Sequence, residues 1–353
     1  MKTSHPPFRA PAIRNSFLAL IGMLAITACR KDRPDEPEVV VPNIGVGGVF
    51  IPNEGNFQAG NATVSYYDIA TGIATEDLYA PANGTSLGDV CQSMRLFNGK
   101  AYVVVNNSGK VVVVDPATFV TTATITGFAS PRFLLPVGNH KAYVTDLYAN
   151  TIAVVDLASN SITGHIPCPG WTEELALVDG KAFVTNKSHN YVYVINTATD
   201  VLEDSIAVSR GSNSICLDTH GKLWVACSGG SGTQPALYRI DPQSNTIEAD
   251  FPFPTTSDSP WRLSMNSDND TLYYLNGDVF RMPITSTTLP AGAFVPAAGR
   301  NFYGLGVEPQ TGVLYVSDAS DYVQRGTVYR YRSDGSVANT FLAGTIPGGF
   351  VFN

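Results

Sequence analysis

The stretch Gly180-Lys181-Ala182-Phe183-Val184-Thr185-Asn186, continued by Tyr191-Val192-Tyr193-Val194-Ile195-Asn196 and Thr197-Ala198-Thr199-Asp200, decides the fold. It reads as an apolar strand, a short loop, a second apolar strand and a polar turn. The same plan stands at Lys141-Ala142-Tyr143-Val144-Thr145-Asp146 with Thr151-Ile152-Ala153-Val154-Val155-Asp156. It recurs near Lys100, Lys222, Thr271 and Gly312, and a further copy opens at Gly48-Val49-Phe50-Ile51-Pro52-Asn53. A self-similar unit every forty to fifty residues or so is the mark of a propeller of four-stranded blades.

Each unit resolves into parts. A short apolar strand, such as Phe133-Leu134-Leu135, comes first. A turn follows, as at Asn98-Gly99-Lys100, Asp179-Gly180-Lys181 and His220-Gly221-Lys222, where Gly or Asn accepts positive φ. Two apolar strands come next. A turn such as Asp115-Pro116-Ala117-Thr118 follows, with the Asp side chain accepting turn amides. A more polar, alternating strand closes the unit, as in residues 201–208. The N-terminal copy begins at its second strand. The chain ends Pro347-Gly348-Gly349-Phe350-Val351-Phe352-Asn353, which has the form of a first strand. The expectation is an all-β, seven-bladed β-propeller over residues 47–353, with four-stranded blades, closed by the C-terminal strand joining the N-terminal blade. Closure of this kind removes exposed sheet edges.

The leader carries the second signal. Lys2, Arg9 and Arg14 form a basic region, and the apolar stretch from Phe17 to Ala28 is too short to span a bilayer as a helix. It ends Ile26-Thr27-Ala28-Cys29, which resembles the lipobox of bacterial lipoproteins. Residues 1–28 then read as a signal peptide and Cys29 as the lipidation site. The run Arg30-Lys31-Asp32-Arg33-Pro34-Asp35-Glu36-Pro37-Glu38 cannot bury apolar area, so residues 29–46 read as a lipidated tether. Its acidic residues resemble the surface-export signal of Bacteroidetes lipoproteins. The expected location is the outer membrane, lipid-anchored and cell-surface exposed, with no membrane contact beyond the anchor.

Of the 353 residues, 44% are hydrophobic and 15% charged, which supplies a large core; the formal net charge is −8. All acid lies beyond the leader. An acidic body without a basic, aromatic-interleaved cluster excludes nucleic acid as a partner. Cys91, Cys168, Cys216 and Cys227 match no zinc spacing. A two-residue turn at His220-Gly221 places Cys216 opposite Val225, so buried free thiols are expected.

The repeats AYVTD, AFVTN and LYVSD resemble the YVTN-type propeller repeats of surface-layer-like and YncE-like proteins. Together with Pro52-Asn53-Glu54-Gly55-Asn56-Phe57 and residues 303–307 and 326–329, they resemble Bacteroidetes surface lipoproteins, some of which capture cobalamin for an outer-membrane transporter. The resemblance implies a non-enzymatic protein that captures a nutrient such as a corrinoid and hands it to a TonB-dependent transporter. The other classes considered are an envelope protein-interaction scaffold and a propeller lactonase or similar metal hydrolase. No resident cofactor is expected.

In a propeller, the segments leading into the first strands share one face with the loops between the second and third strands. Here those segments hold Arg132, Trp171, Glu173, Glu174, Arg210, Asn213, Trp261, Arg262, Arg300, Asn301 and Tyr303. The loops on the same face hold Asn53, Glu54, Phe57, Asn107, Tyr148, Lys187, His189, Tyr322 and Arg325. Aromatic and Arg side chains together suit stacking and charge-assisted hydrogen bonds to a polar organic ligand. Arg132, Trp171, Trp261, Arg262, Arg300, Tyr303, Tyr148 and Phe57 are the candidate binding residues, although packing between blades competes as the role of any one of them. The Asn or Asp ending most second strands (Asn53, Asn106, Asp146, Asn186, Asn276, Asp318) reads as turn capping rather than metal ligation. Glu173 and Glu174 are adjacent. On a regular strand they point to opposite sides, which excludes a paired general acid and base. No nucleophile motif appears, and no metal or catalytic residue is assigned.

Overall fold

Runs such as Val111-Val112-Val113-Val114 are buried on both faces, which happens only when a sheet is covered on both sides. The flanking fourth strands alternate between exposed and half-buried residues, as in Ser161–Pro167. This combination places second and third strands inside a stack of sheets and fourth strands at its rim. The computed structural model describes Met1, Ile44, Gly45 and residues 47–353. The expected signal peptide, Cys29 and most of the expected tether lie outside the described residues.

Seven antiparallel sheets follow one another along the chain. Blade 1 contains Gly48–Asn53, Thr63–Asp68 and Ile73–Thr75, with Val351–Phe352 as its innermost strand. Blade 2 runs from Cys91–Phe97 to Thr121–Thr126, blade 3 from Pro131–Pro136 to Ser161–Pro167, and blade 4 from Thr172–Val178 to Val201–Ala207. Blade 5 runs from Ser212–Leu217 to Thr246–Pro252, and blade 7 from Phe302–Val307 to Val337–Thr345. Blade 6 has three strands, Trp261–Met265, Thr271–Asn276 and Asp278–Pro283. Its outer edge is met by a loop through a single bridge between Val279 and Val295.

The apolar core is divided the same way. Seven buried clusters each join one blade to the next, and the last joins blade 7 to blade 1 through Tyr315, Val328, Val49 and Tyr67. Closure is as expected from the chain ends. Phe352 pairs with Val49 and Val351 with Phe50, and Asn353 N–H donates to the Gly48 carbonyl at 2.9 Å.

The cysteine register differs from expectation by one residue. Cys216 faces Trp224, and Cys227 faces Ser212. The Asp218 carboxylate accepts the N–H groups of His220 and Lys222 (both 2.9 Å), which makes the turn longer than two residues. All four thiols are free. Burial pushes them up, the Cys168 thiol to about 12, so they are inert packing groups.

One irregularity positions the site. In blades 2 to 7 the innermost strand slips register against its neighbour near its start: between Cys91 and Ser93, Pro131 and Leu134, Thr172 and Leu175, Ser212 and Ser214, Trp261 and Ser264, and Phe302 and Leu305. A bulge leaves its extra residue unpaired and re-aims the side chain. Repeated around the ring, it turns Gln92, Arg132, Glu173, Glu174, Asn213, Arg262 and Tyr303 into one cavity.

Candidate functional site

That cavity, about 300 Å³, lies at the mouth of the central channel. Besides the bulged residues it is lined by Glu54, Leu147, Trp171, Lys187, Ser228, Ser259 and Trp261. Five of the candidate residues, Arg132, Trp171, Trp261, Arg262 and Tyr303, therefore converge on it. The other three do not. Phe57 and Tyr148 stand on the outer rim, 67% and 72% exposed. Arg300 lines a neighbouring cavity of about 520 Å³ that shares the Trp261 and Tyr303 wall. Its donors are spent on the Ala297 carbonyl (2.6 Å), the Tyr331 hydroxyl (2.7 Å) and the Pro296 carbonyl (3.0 Å). Its geometry is that of a loop clamp.

Two networks face each other across the mouth. In the first, the Arg132 guanidinium donates Nε and Nη2 to Glu173 at 2.8 and 2.6 Å, and Nη1 to the Gln92 side chain. The Trp171 indole N–H donates to the same carboxylate at 2.6 Å. In the second, the Tyr303 hydroxyl donates to both Glu54 oxygens at 3.0 Å, and Arg262 approaches Glu54 at 3.8 Å. Trp261 and Tyr303 meet edge-on at 5.1 Å, a favoured aromatic geometry. The indoles of Trp171 and Trp261 each carry a cation, the Lys187 ammonium at 4.2 Å and the Arg262 guanidinium at 4.9 Å. Trp224, the third Trp, is fully buried between blades 5 and 6.

The expectation for Glu173 and Glu174 is corrected here. Strand alternation would separate them, but the bulge between Thr172 and Leu175 brings both carboxylates to the mouth. Their environments differ. Burial raises the Glu173 pKa, but the Arg132 charge and hydrogen bonds, with Lys187 and Trp171, outweigh it and hold the carboxyl below its ordinary range. Burial pushes Glu174 up to about 7, against the opposing effects of Arg262 and the Ile215 N–H. Burial likewise raises Glu54.

Glu174 makes stability pH-dependent in a defined sense. Its folded pKa is raised, so the folded chain holds more protons than the unfolded chain between the ordinary carboxylate range and about 7. Stability therefore falls as pH rises through that window and levels off above it. Glu174→Gln is expected to stabilise the protein by up to about 3 kcal/mol near pH 8 and by much less near pH 5. Chemical denaturation at the two pH values measures this, and identical pH slopes for variant and wild type would contradict it.

Of the residues ending the second strands, Asp146, Asn186 and Asp318 cap their own turns. Asn53 instead bonds to Thr63, Ser65 and the Gly344 N–H, Asn106 donates to the Pro131 carbonyl, and Asn276 accepts the Ser259 N–H and donates to Asp258, which departs from the turn-capping expectation. Asp146 accepts the N–H groups of Tyr148 and Ala149 at 2.8 and 3.0 Å, and those of Ala129 and Ser130 at 3.1 and 2.8 Å. Asn186 and Asp318 hold their own turns in the same way. Among the described residues no three His, Cys, Asp or Glu side chains converge as ligands for a metal ion. Gln92 was not singled out in the sequence. Its position one residue into an inner strand, equivalent to Arg132, is the signal that marks it.

Solved structures share the architecture. A quinonprotein alcohol dehydrogenase-like protein of Bacteroides thetaiotaomicron is 18% identical with a TM-score of 0.69, covering 86% of this chain and 78% of that one. The periplasmic gluconolactonase of Pseudomonas aeruginosa is 12% identical with a TM-score of 0.67, covering 87% and 99%. A functionally unknown protein of Desulfotomaculum acetoxidans is 17% identical with a TM-score of 0.64, covering 87% and 98%. At these identities the likeness establishes the propeller fold alone. No curated protein matches the chain. Residues 47–340, nearly the whole propeller, match one family, and the chain belongs to it: the domain of unknown function DUF5074.

Proposed function

We propose that this chain is a non-enzymatic, lipid-anchored surface protein that captures a polar organic ligand at the channel mouth and passes it to an outer-membrane transporter of the TonB-dependent class. The observation that carries this reading is the convergence of two cation-faced indoles, Trp171 and Trp261, on one cavity. Stacking faces flanked by charged donors, on a rigid closed ring, are pre-organised for equilibrium binding. A cavity of about 300 Å³ suits a ring-sized group. A corrinoid, the ligand class suggested by the sequence resemblance, is larger and would lie across the rim with one substituent inserted.

Truncation of the two indoles tests the reading. Trp171 belongs to no apolar cluster, and Trp261 packs only on the edge of one. Trp171→Ala and Trp261→Ala should each weaken ligand binding about thirtyfold, the effect of losing an anchor aromatic, while the melting temperature changes little. Titration with cobalamin and a panel of vitamins and glycans measures this. A drop in stability with affinity intact would return both residues to a packing role. The anchor is tested alongside: Cys29→Ala should abolish membrane partitioning, and palmitate labelling that survives it would remove the lipoprotein assignment.

A second reading rests on the Glu173 and Glu174 pair, one carboxyl held low and the other near 7 in the same cavity. Such a pair suits acid-base hydrolysis. Turnover of a sugar lactone that Glu174→Gln abolishes would favour it over capture.

A further inference from the structure

The charges at the mouth are not all spent on one another. Each guanidinium nitrogen of Arg132 already donates to Glu173 or Gln92. Lys187 is placed differently. Its ammonium lies over Trp171, and among the described residues it has neither a carboxylate within ion-pairing distance nor a hydrogen-bond acceptor. Burial lowers its pKa, Glu173 and Glu54 raise it, and the charges of Arg132 and Arg262 lower it. It is a partly desolvated cation with charges of both signs nearby but none bonded to it. Arg262 is similarly under-used, reaching Glu54 only at 3.8 Å and the Tyr303 carbonyl at 3.4 Å. Its backbone sits at φ 55°, within the bulge. That left-handed conformation is unfavourable for a long side chain and persists only where the surroundings impose it. Here it aims the guanidinium into the cavity. The acids offer little in return. Glu173 is committed to Arg132 and Trp171, the Tyr303 hydroxyl caps Glu54, and Glu174 accepts the Ile215 N–H at 3.1 Å.

We propose that the channel mouth is an anion site, in which a ligand carboxylate or phosphate seats between the Lys187 ammonium and the Arg262 guanidinium while the ring that bears it lies against Trp171 or Trp261. The proposal rests on the capture reading and names its ligand class. Cations in a narrow, low-dielectric cleft attract an anion more strongly than the same cations on an open surface. They do so here although the chain as a whole carries a net charge of −8. Arg presents a planar fork to two oxygens of a carboxylate or phosphate, and Lys supplies a point charge beside it. The two indole faces then select for a flat or ring-shaped carrier.

Four probes of one size test this on the folded protein: benzoate, phenyl phosphate, benzyl alcohol and benzylamine. Trp171 and Trp261 report binding through their fluorescence, with buried Trp224 as a constant background. Saturable quenching by benzoate and phenyl phosphate, but not by the neutral or cationic probe, is expected. Tighter binding of phenyl phosphate would identify a phosphate ligand, and tighter binding of benzoate a carboxylate. Lys187→Met should weaken both anions about tenfold or more, as for loss of a charge-assisted hydrogen bond, and Lys187→Arg should retain them. Competition by inorganic phosphate on the unsubstituted protein gives a readout that no folding defect can obscure. Equal or better binding of benzyl alcohol or benzylamine would overturn the anion site and leave capture standing. Anion affinity unchanged in Lys187→Met would also overturn it. Silence from all four probes would count against both.

Discussion

Deletion of residues 350–353 is expected to destabilise the propeller by on the order of 5 kcal/mol, although it removes only a terminal segment. Phe350 and Phe352 pack on Tyr315 of blade 7 at 5.5 and 5.3 Å between ring centroids. Val351 packs on the cluster between blades 1 and 2. The segment thus touches the interfaces on both sides of blade 1 while completing its sheet. A Cβ on Gly306 would lie 3.0 Å from Phe350, so the inner strand of blade 7 is fitted closely to it. Its loss exposes the Gly48–Asn53 edge to the channel and removes the pairing of Val49 and Phe50. The seam between blades 7 and 1 joins the most distant parts of the sequence, so its closure carries the largest loop entropy of any blade interface. Denaturant unfolding of the truncated chain measures the effect. Stability within about 1 kcal/mol of the full chain would show that the seam is held by the interface between blades 7 and 1 alone.

Arg132→Met is expected to cost about 3 to 5 kcal/mol, the penalty for leaving a buried charge without its partner. Glu173 is 7% and Arg132 13% exposed at the side chain. Removing the guanidinium leaves the Glu173 carboxylate with the Trp171 N–H as its remaining side-chain partner. The pH dependence should reverse as well. In the wild type Glu173 is held low, so its contribution is present above the ordinary carboxylate range and is lost as pH falls. Without Arg132, burial dominates, the carboxyl is pushed up, and the variant loses stability as pH rises. The double variant Arg132→Met/Glu173→Gln should recover most of the loss, since no buried charge then remains unpaired. Additive effects in that cycle would show the two side chains to be uncoupled. Arg132, read from sequence as a ligand contact, lines the cavity and at the same time holds Glu173, to which Trp171 also donates.

The expected architecture and the observed one agree most closely where a local rule is repeated. The AYVTD-type strands, the Asp and Asn turns and the terminal half-blade are legible because each copy solves the same burial problem. Seven copies average out any one irregular turn. Blade 6 departs from the plan at its fourth strand, where residues 284–294 hold Pro290 and Gly292 and the edge reduces to one bridge at Val295. The Cys216 register was misplaced by one residue because the Asp218 carboxylate lengthens a turn that its Gly alone suggested was tight.

The sequence alone determined the blade count, the closure and the face on which aromatic and Arg residues gather, since these follow from periodicity and from strand direction. Which of those residues meet was decided by tertiary structure. The bulge at the start of the inner strands of blades 2 to 7 has no composition of its own. It overrides the period-two alternation that would send Glu173 and Glu174 apart. It also separates Arg132 and Arg262, which enter the mouth, from Arg300, whose donors are taken by its own loop and the Tyr331 hydroxyl. Lys187 reaches the mouth from the loop that follows the second strand of blade 4. Its chemistry is plain in the sequence, but its lack of a partner exists only once Arg132 of the neighbouring blade has claimed Glu173.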